Sequence, residues 1–217
     1  MHSLSEENYL KAIYRLSLPG ENKVTPTAIA EALGNNPASV IDMLKKLSDK
    51  KLITYNKIKG AKLSDKGNKA AIDIVRKHRL WEEFLVQKLG YSWDVVHDIA
   101  EQLEHVHYLD LADKLDKFLG FPKYDPHGDP IPKANGQIAN VFKTLLGEIT
   151  VGKNCQVVAV KDTSSEFLKY LQKLNIGIGT KLKVVENIPF DESIVILIDK
   201  KHKTTISKKF GQSILVD

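Results

Sequence analysis

The hydrophobic pattern changes period once along this chain, near residue 142, and that change limits what the chain can fold into. Before it, apolar residues recur three and four apart, as in Tyr9, Leu10, Ile13, Tyr14 and Leu16, or Val40, Leu44 and Leu47. That is the spacing of one buried helical face. After it, short runs at Cys155–Val160, Lys181–Glu186, Ser193–Ile198 and Thr204–Ile206 read as strands between turns. With 217 residues and 42% hydrophobic content, the chain can build two or three separate cores.

The first 72 residues carry clear helix punctuation. Ser3 and Glu6 have capping-box spacing, and Pro19-Gly20 is the expected stop. Thr25-Pro26 opens a second helix, with Thr25 as N-cap and proline at the first helical position, and Gly34-Asn35 closes it. Asn36-Pro37 starts a third, running through Ala38 to Leu47. Two short helices around a tight glycine turn, after a longer first helix, form the helix-turn-helix arrangement. Leu52–Tyr55 and Ala61–Ser64 then flank the basic stretch Lys57-Ile58-Lys59-Gly60, the layout of a wing. A plain three-helix bundle with a hairpin has the same spacing. Lysines on the wing and small polar residues opening the third helix favour DNA binding. The third helix would enter the major groove N-terminus first, with Asn36, Pro37, Ala38 and Ser39 near base edges and Thr25 opening the helix before it. Lys57, Lys59 and Lys62 would meet phosphates, which position the protein without reading sequence.

Residues 73–141 hold the ligand-type side chains. Ala70 to Leu89 reads as a long amphipathic helix with His78 and Glu82 four apart, and Val96 to His105 as a second helix. Taking His97 as zero, Glu101 falls at about 40°, Glu104 at about −20° and His105 at about 80°, all in one arc. A solvated surface face has the same residue types. The His78/Glu82 pair gives this face a matching partner, and two such faces packed together enclose a divalent cation. A di-iron bundle needs Glu-x-x-His from each of two helices. Glu104 and His107 supply one, and the chain has no second, so a metal enzyme of that type is not expected. A third helix, Leu109–Leu119, ends at Gly120. Three helices from roughly 50 residues bury little apolar surface alone. Trp81, Phe84, Leu85, Leu111, Leu115 and Phe118 are therefore candidates for contact with a second copy, making a homodimer. Phe121–Pro132 holds four prolines in twelve residues, a stiff connector on which Asp125 and His127 are ligand-type residues. A plain linker is an equal reading there.

Net charge is +5, and it is unevenly spread. Residues 1–72 hold 12 Lys and Arg against 7 Asp and Glu, residues 73–141 hold 8 against 12, and residues 142–217 hold 12 against 8. An acidic centre suits a cation, and a basic end suits a polyanion. The single cysteine, Cys155, excludes an internal disulfide and a cysteine zinc finger. No apolar run approaches a membrane span and no signal-peptide layout opens the chain, so a cytoplasmic protein without membrane contact is expected.

Four stretches in this order resemble the diphtheria toxin repressor family of metal-activated transcriptional repressors. They are Tyr9-Leu10-Lys11-Ala12-Ile13-Tyr14, Lys77-His78-Arg79-Leu80-Trp81-Glu82, Val96-His97-Asp98 with Glu101, Glu104, His105 and Val106, and Asp125–Pro132. The resemblance covers essentially the whole chain. It implies a multi-domain, mainly α protein with a winged helix-turn-helix over 1–72, a helical metal-binding and dimerisation domain with its proline-rich connector over 73–141, and an SH3-like, FeoA-like β-barrel over 142–217. It implies metal ligands at His78, Glu82, His97, Glu101, Glu104 and His105, with Asn8 from the first helix. In the manganese branch Asp125, His127 and Asp162 join them. Iron-type members have cysteine where this chain has Glu101, and manganese-type members have aspartate where it has Asn8. Glu101 favours Mn(II), with Fe(II) the alternative. The implied function is a homodimeric repressor of metal-uptake genes that binds double-stranded operator DNA when metal is plentiful, without enzymatic activity or a small organic substrate. A metal-independent DNA-binding regulator and a metal carrier that ignores DNA are the other readings.

Overall fold

The computed structural model describes residues 2–18, 24–139 and 143–217. The chain divides into two compact units, Met1–His78 with Glu101–Lys114 and Pro132–Ile138, and Arg79–Ala100 with Leu115–Ile131 and Ala139–Asp217. The expected Pro19-Gly20 stop, and residues 140–142 at the expected junction before the barrel, lie outside the described residues.

The first unit opens with α1 (Leu4–Leu16), α2 (Pro26–Leu33) and α3 (Pro37–Asp49). Each starts at its expected cap. Ser3 and Glu6 form a reciprocal capping box, Thr25 Oγ1 accepts from the Ala28 amide, and Asn36 Oδ1 accepts from the Ala38 amide. Leu10, Ile13, Ile29, Val40, Leu44, Leu47 and Leu52 are fully buried and form the core of the three helices. The buried Glu6 carboxylate fastens the start of α1 to the end of α3, with Lys46 and Lys50 ammoniums at 3.0 and 2.7 Å. Burial alone would raise the Glu6 carboxyl, but hydrogen bonds from Lys50 and Lys46 outweigh it and hold the group down at about 2.

The wing is β1 (Ile53–Asn56) paired antiparallel with β2 (Gly60–Leu63). Asn56 Oδ1 accepts from the Ile58 and Lys59 amides and closes the tip. Gly60 has φ +82, and a Cβ there would lie 2.4 Å from the Val24 carbonyl oxygen. Only glycine allows that approach, and the next amide, Ala61, donates to the same carbonyl. The wing is thus fastened to the residues that open α2.

Two middle helices differ from the sequence expectation at their ends. α4 (Asp65–Leu89) starts five residues before the expected Ala70. α5 (Val96–Leu103) stops before Glu104 and His105, which lie in a turn where the Val106 amide bonds the Leu103 carbonyl. Glu104 is therefore not on an exposed helical face but is fully buried. There its carboxylate meets Lys11 and His78, each at 2.6 Å. α6 (Leu111–Phe118) follows.

In the second unit, β3 (Thr144–Leu145), β4 (Asn154–Val160), α7 (Ser165–Lys173), β5 (Lys181–Ile188), β6 (Ser193–Ile198), β7 (His202–Ile206), α8 (Lys208–Ser213) and β8 (Ile214–Val216) build the SH3-like domain. Its six strands pair antiparallel in the order β3-β8-β4-β5-β6-β7. Leu146, Leu168, Leu171, Val184, Ile196, Ile214 and Val216 fill its core. The proline-rich connector is not a free linker. Gly128, at φ +84, approaches β4 so closely that a Cβ would lie 2.0 Å from the Val158 oxygen, and the Val160 amide donates to the His127 carbonyl. Among the described residues no helix is long and apolar enough to cross a membrane.

Candidate metal centres and DNA-binding face

The ligand-type residues gather in two clusters, one in each unit. In the first unit, His78 from α4, Glu101 from α5, and Glu104 and His105 from the turn after it meet residues of α1. His78 Nδ1 lies 2.6 Å from Glu104 Oε2. His105 Nδ1 lies 2.6 Å from Glu7 Oε2, and His107 Nε2 lies 2.9 Å from Glu7 Oε1. Lys11 Nζ lies 2.7 Å from Glu101 Oε1, 2.6 Å from Glu104 Oε2 and 3.1 Å from His78 Nδ1. Glu7, Lys11, His78 and Glu104 are all buried.

Glu7, Lys11 and His107 were not singled out as site residues from the sequence. Glu7 and Lys11 are four apart, the same spacing as His78 and Glu82, so a shared face of α1 was the available signal. Among the described residues, Asn8 Oδ1, on the expected ligand of α1, is buried without a hydrogen-bond partner, as is Glu104 Oε1. Buried oxygens in that state cost stability unless something meets them. Glu104 Oε1, 3.7 Å from His105 Nε2, is a buried oxygen within a cluster of carboxylates and imidazoles, which fits a divalent cation, and the cluster's carboxylate and imidazole donors are all oxygen and nitrogen.

In the second unit, Glu82, Asp125 and His127 each offer a ligand atom, and the three atoms lie within 4.8 Å of one another. All three residues are buried. His97, on α5, meets Glu82, with Nδ1 3.1 Å from Oε1. His127 Nε2 donates to the Trp93 carbonyl at 2.9 Å, which leaves Nδ1 towards Glu82 Oε2 at 3.5 Å. Such a backbone partner fixes ring orientation in metal-binding histidines. Asp125 Oδ1 accepts from the His127 and Asp129 amides, and Arg79 Nε stands 3.5 Å from Oδ2. Burial, then the charges of Glu82 and Asp129, push the Asp125 carboxyl up to about 7. Burial would lower His127, but its bond to Glu82 and the Glu82 and Asp125 charges outweigh that and raise it to about 9. This cluster therefore carries protons where it carries excess negative charge. Asp162 lies two residues beyond Val160, the residue whose amide holds the His127 carbonyl, and its Oδ1 accepts from the Ser164 amide.

On the DNA-binding face, Asn36, Pro37, Ala38 and Ser39 are exposed at the start of α3, while Val40 is buried. Lys57, Lys59 and Lys62 are exposed on the wing, and Ile58 at its tip is 90% exposed. Thr25 is half-buried, and its hydroxyl oxygen is engaged in capping α2. Of the apolar residues expected to meet a second copy, Leu85 and Leu115 are already buried within one chain, Trp81, Phe84 and Leu111 are half-buried, and Phe118 is exposed.

Three stretches match known domains. Residues 1–61 match the N-terminal DNA-binding domain of iron-dependent repressors, residues 64–133 their metal-binding and dimerisation domain, and residues 144–217 the FeoA domain. The chain is 28% identical over 223 residues to the iron-dependent repressor IdeR of Mycobacterium leprae, covering 97% of this chain and 96% of that protein. It is 33% identical over 125 residues to the transcriptional regulator MntR of Oceanobacillus iheyensis, covering 58% of this chain and 84% of that one. Among solved structures, a manganese-dependent transcriptional repressor in complex with manganese superposes with a TM-score of 0.90 at 34% identity, covering 97% of this chain and 98% of the other.

Proposed function

The chain belongs to the diphtheria toxin repressor family of metal-dependent transcriptional repressors, and from that premise we propose that it binds operator DNA as a homodimer and represses metal-uptake genes when Mn(II), or alternatively Fe(II), is bound. The observation that carries this reading is the first cluster. It draws residues of α1, the opening helix of the DNA-binding domain, together with His78, Glu101, Glu104 and His105 of the metal-binding region.

In this reading Glu7, Glu101, Glu104, His105 and His78 hold the ion, with the Asn8 amide oxygen beside them. Glu7 supplies from α1 the carboxylate that Asn8 lacks. Glu82, Asp125 and His127 form a second centre, with His97 and Asp162 as further donors. A bound divalent ion supplies positive charge that several carboxylates share. Glu7 and Asn8 sit on α1, whose buried Leu10 and Ile13 pack in the core that carries α3. Tightening the cluster therefore restricts how the recognition helix is presented, and the DNA-competent state becomes the dominant population. Asn36 to Ser39 meet base edges, the wing lysines meet phosphates, and Phe118 and the half-buried Trp81 and Phe84 face the second copy. The matched stretches, 1–61, 64–133 and 144–217, support three parts in this order, which we assign to 1–72, 73–141 and 142–217. The protein acts in the cytoplasm, without catalysis.

The test is an electrophoretic mobility shift on a family operator with no metal, with Mn(II), with Zn(II) and, anaerobically, with Fe(II). Strong Mn(II) stimulation is expected, with Zn(II) stimulating less. Zn(II) favours four ligands, fewer than this cluster offers. Equal binding with and without metal would overturn the metal-sensing reading. A response to Fe(II) with none to Mn(II) would overturn the preference for manganese.

A further inference from the structure

The Lys11 ammonium occupies the middle of the first cluster. Its nitrogen donates to Glu104 Oε2 at 2.6 Å and to Glu101 Oε1 at 2.7 Å, and His78 Nδ1, itself 2.6 Å from Glu104 Oε2, stands 3.1 Å away. Two of these atoms are carboxylate oxygens and the third is an imidazole nitrogen, the donor types a divalent ion needs. Lys11 is only 6% exposed and its partner Glu104 is fully buried, while Glu101 lies at the rim of the cluster with its side chain 37% exposed. A divalent ion takes oxygen and nitrogen ligands at roughly 2.0–2.2 Å. An ion held by the same three atoms would lie within about 5 Å of the ammonium, where like charges shielded from water repel strongly.

We propose that Lys11 is a built-in cation that holds Glu101, Glu104 and His78 together in the metal-free protein and must be displaced before the metal binds. The inference rests on the assignment of this cluster as a metal centre. Its flexible four-carbon stem allows Lys11 to leave without unfolding α1. The lysine then sets the threshold of the sensor. It keeps the metal-free carboxylates from repelling one another, and it lowers apparent metal affinity by the fraction of molecules in which it has left. If that conformer is about 1–10% of the population, apparent affinity is about 10- to 100-fold weaker than the ligand set alone would give.

The experiment compares wild type with Lys11→Met and Lys11→Gln, which remove the charge and keep most of the side chain. Mn(II) affinity is measured by calorimetry on the full-length protein, and thermal unfolding is followed with and without Mn(II). Both variants should bind Mn(II) about 10- to 100-fold more tightly, unfold at lower temperature without metal, and gain more from Mn(II) than wild type does. A variant that folds only once Mn(II) is added also supports the proposal. Unchanged or weaker affinity, or a variant that Mn(II) does not refold, overturns it, because Lys11 would then be a lasting part of the site or of the fold. If wild type itself binds no Mn(II), the metal-centre assignment falls and this inference falls with it.

Discussion

The two clusters use the same donors but balance their charge differently. The first holds Glu7, Glu101 and Glu104 against a buried ammonium, Lys11, with His78, His105 and His107 alongside. The second holds Glu82 and Asp125 against protons, with Asp125 raised to about 7 and His127 to about 9, and Arg79 at its edge. A proton is supplied by solvent at a cost that pH sets. A lysine is supplied by the chain, and removing it requires moving a side chain. The first cluster is therefore built to resist a change of state until a strong cation competes, and the second to follow its surroundings. That difference suits a switch in the first cluster and an adjusting role in the second.

The largest effect expected from this contrast is on metal-stimulated DNA binding. Glu104 is fully buried, so Glu104→Gln is the informative change, because truncation to alanine would also open a cavity. It should raise the Mn(II) concentration needed for half-maximal DNA binding by at least about 100-fold. Losing even an outer partner of a metal ligand commonly costs about 10- to 100-fold, and a direct ligand should cost more. Glu82→Gln should cost closer to tenfold. Titrating Mn(II) in a mobility shift, with circular dichroism to check folding, measures both. Equal losses would break the division into switch and adjuster.

Next in size is a pH effect confined to the second cluster. Asp125 and His127 both bind protons more tightly when folded than their ordinary values of 3.8 and 6.5. Their contribution to stability is full below those values and is lost as pH rises through about 7 for Asp125 and about 9 for His127. Metal-free protein should therefore melt on the order of 5 °C lower at pH 9 than at pH 5. Asp125→Asn should remove the portion lost between about pH 4 and 7, leaving the His127 portion. Parallel curves for wild type and variant would show that the second cluster is not balanced by protons.

The sequence announced the scaffold better than the clusters, for physical reasons. Ser3, Thr25 and Asn36 cap helices through bonds to residues two or three positions away, so local spacing is enough to find them. The wing likewise closes through Asn56 and its near neighbours. β3 and β8, of two and three residues, are too short for alternation to register, and pairing with each other and with β4 defines them. The ligand residues were visible as types, but helical phase placed His97 in one arc with Glu101, Glu104 and His105. The end of α5 at Leu103 takes Glu104 and His105 off that helical face and turns Glu104 inward. Glu7 and Lys11 share a face of α1 by their spacing, but nothing within α1 signals that Glu104 and His105, more than ninety residues away, will cover them.

A smaller effect separates the acid response of the two units. Glu6 is held down at about 2 by Lys50 and Lys46. Its folded value lies below its ordinary one of 4.5, so its contribution is present above about 4.5 and is lost as pH falls through about 2. That is opposite in sign to Asp125 and His127. Both lysines are about half exposed, so solvent screening limits the contribution, and Glu6→Gln should cost about 1–2 kcal/mol at neutral pH. Chemical denaturation at pH 7 and pH 3 checks this. The loss should shrink at the lower pH, and a loss that grows there would contradict the ion-pair account.

The smallest effect is expected outside both clusters, on the wing. Lys59 is exposed, and its amide is bonded to Asn56, so the position of the residue is fixed while its ammonium stays in solvent. A wing lysine that meets a phosphate releases a counterion and adds about 0.9 to the slope of log affinity against log salt. Lys59→Ala should reduce that slope by about one such increment and leave sequence preference unchanged. It should also leave the Mn(II) concentration for half-maximal DNA binding unchanged, because the residue touches neither cluster. Ser39→Ala, at the exposed start of α3, should do the reverse and alter preference more than slope. The measurement is fluorescence anisotropy across a salt series on the operator and on a scrambled duplex at saturating Mn(II), followed by a Mn(II) titration at fixed salt. An altered Mn(II) midpoint in Lys59→Ala would mean that DNA contact and metal binding are coupled through the wing itself, which would remove the reason for assigning the switch to the cluster around Lys11.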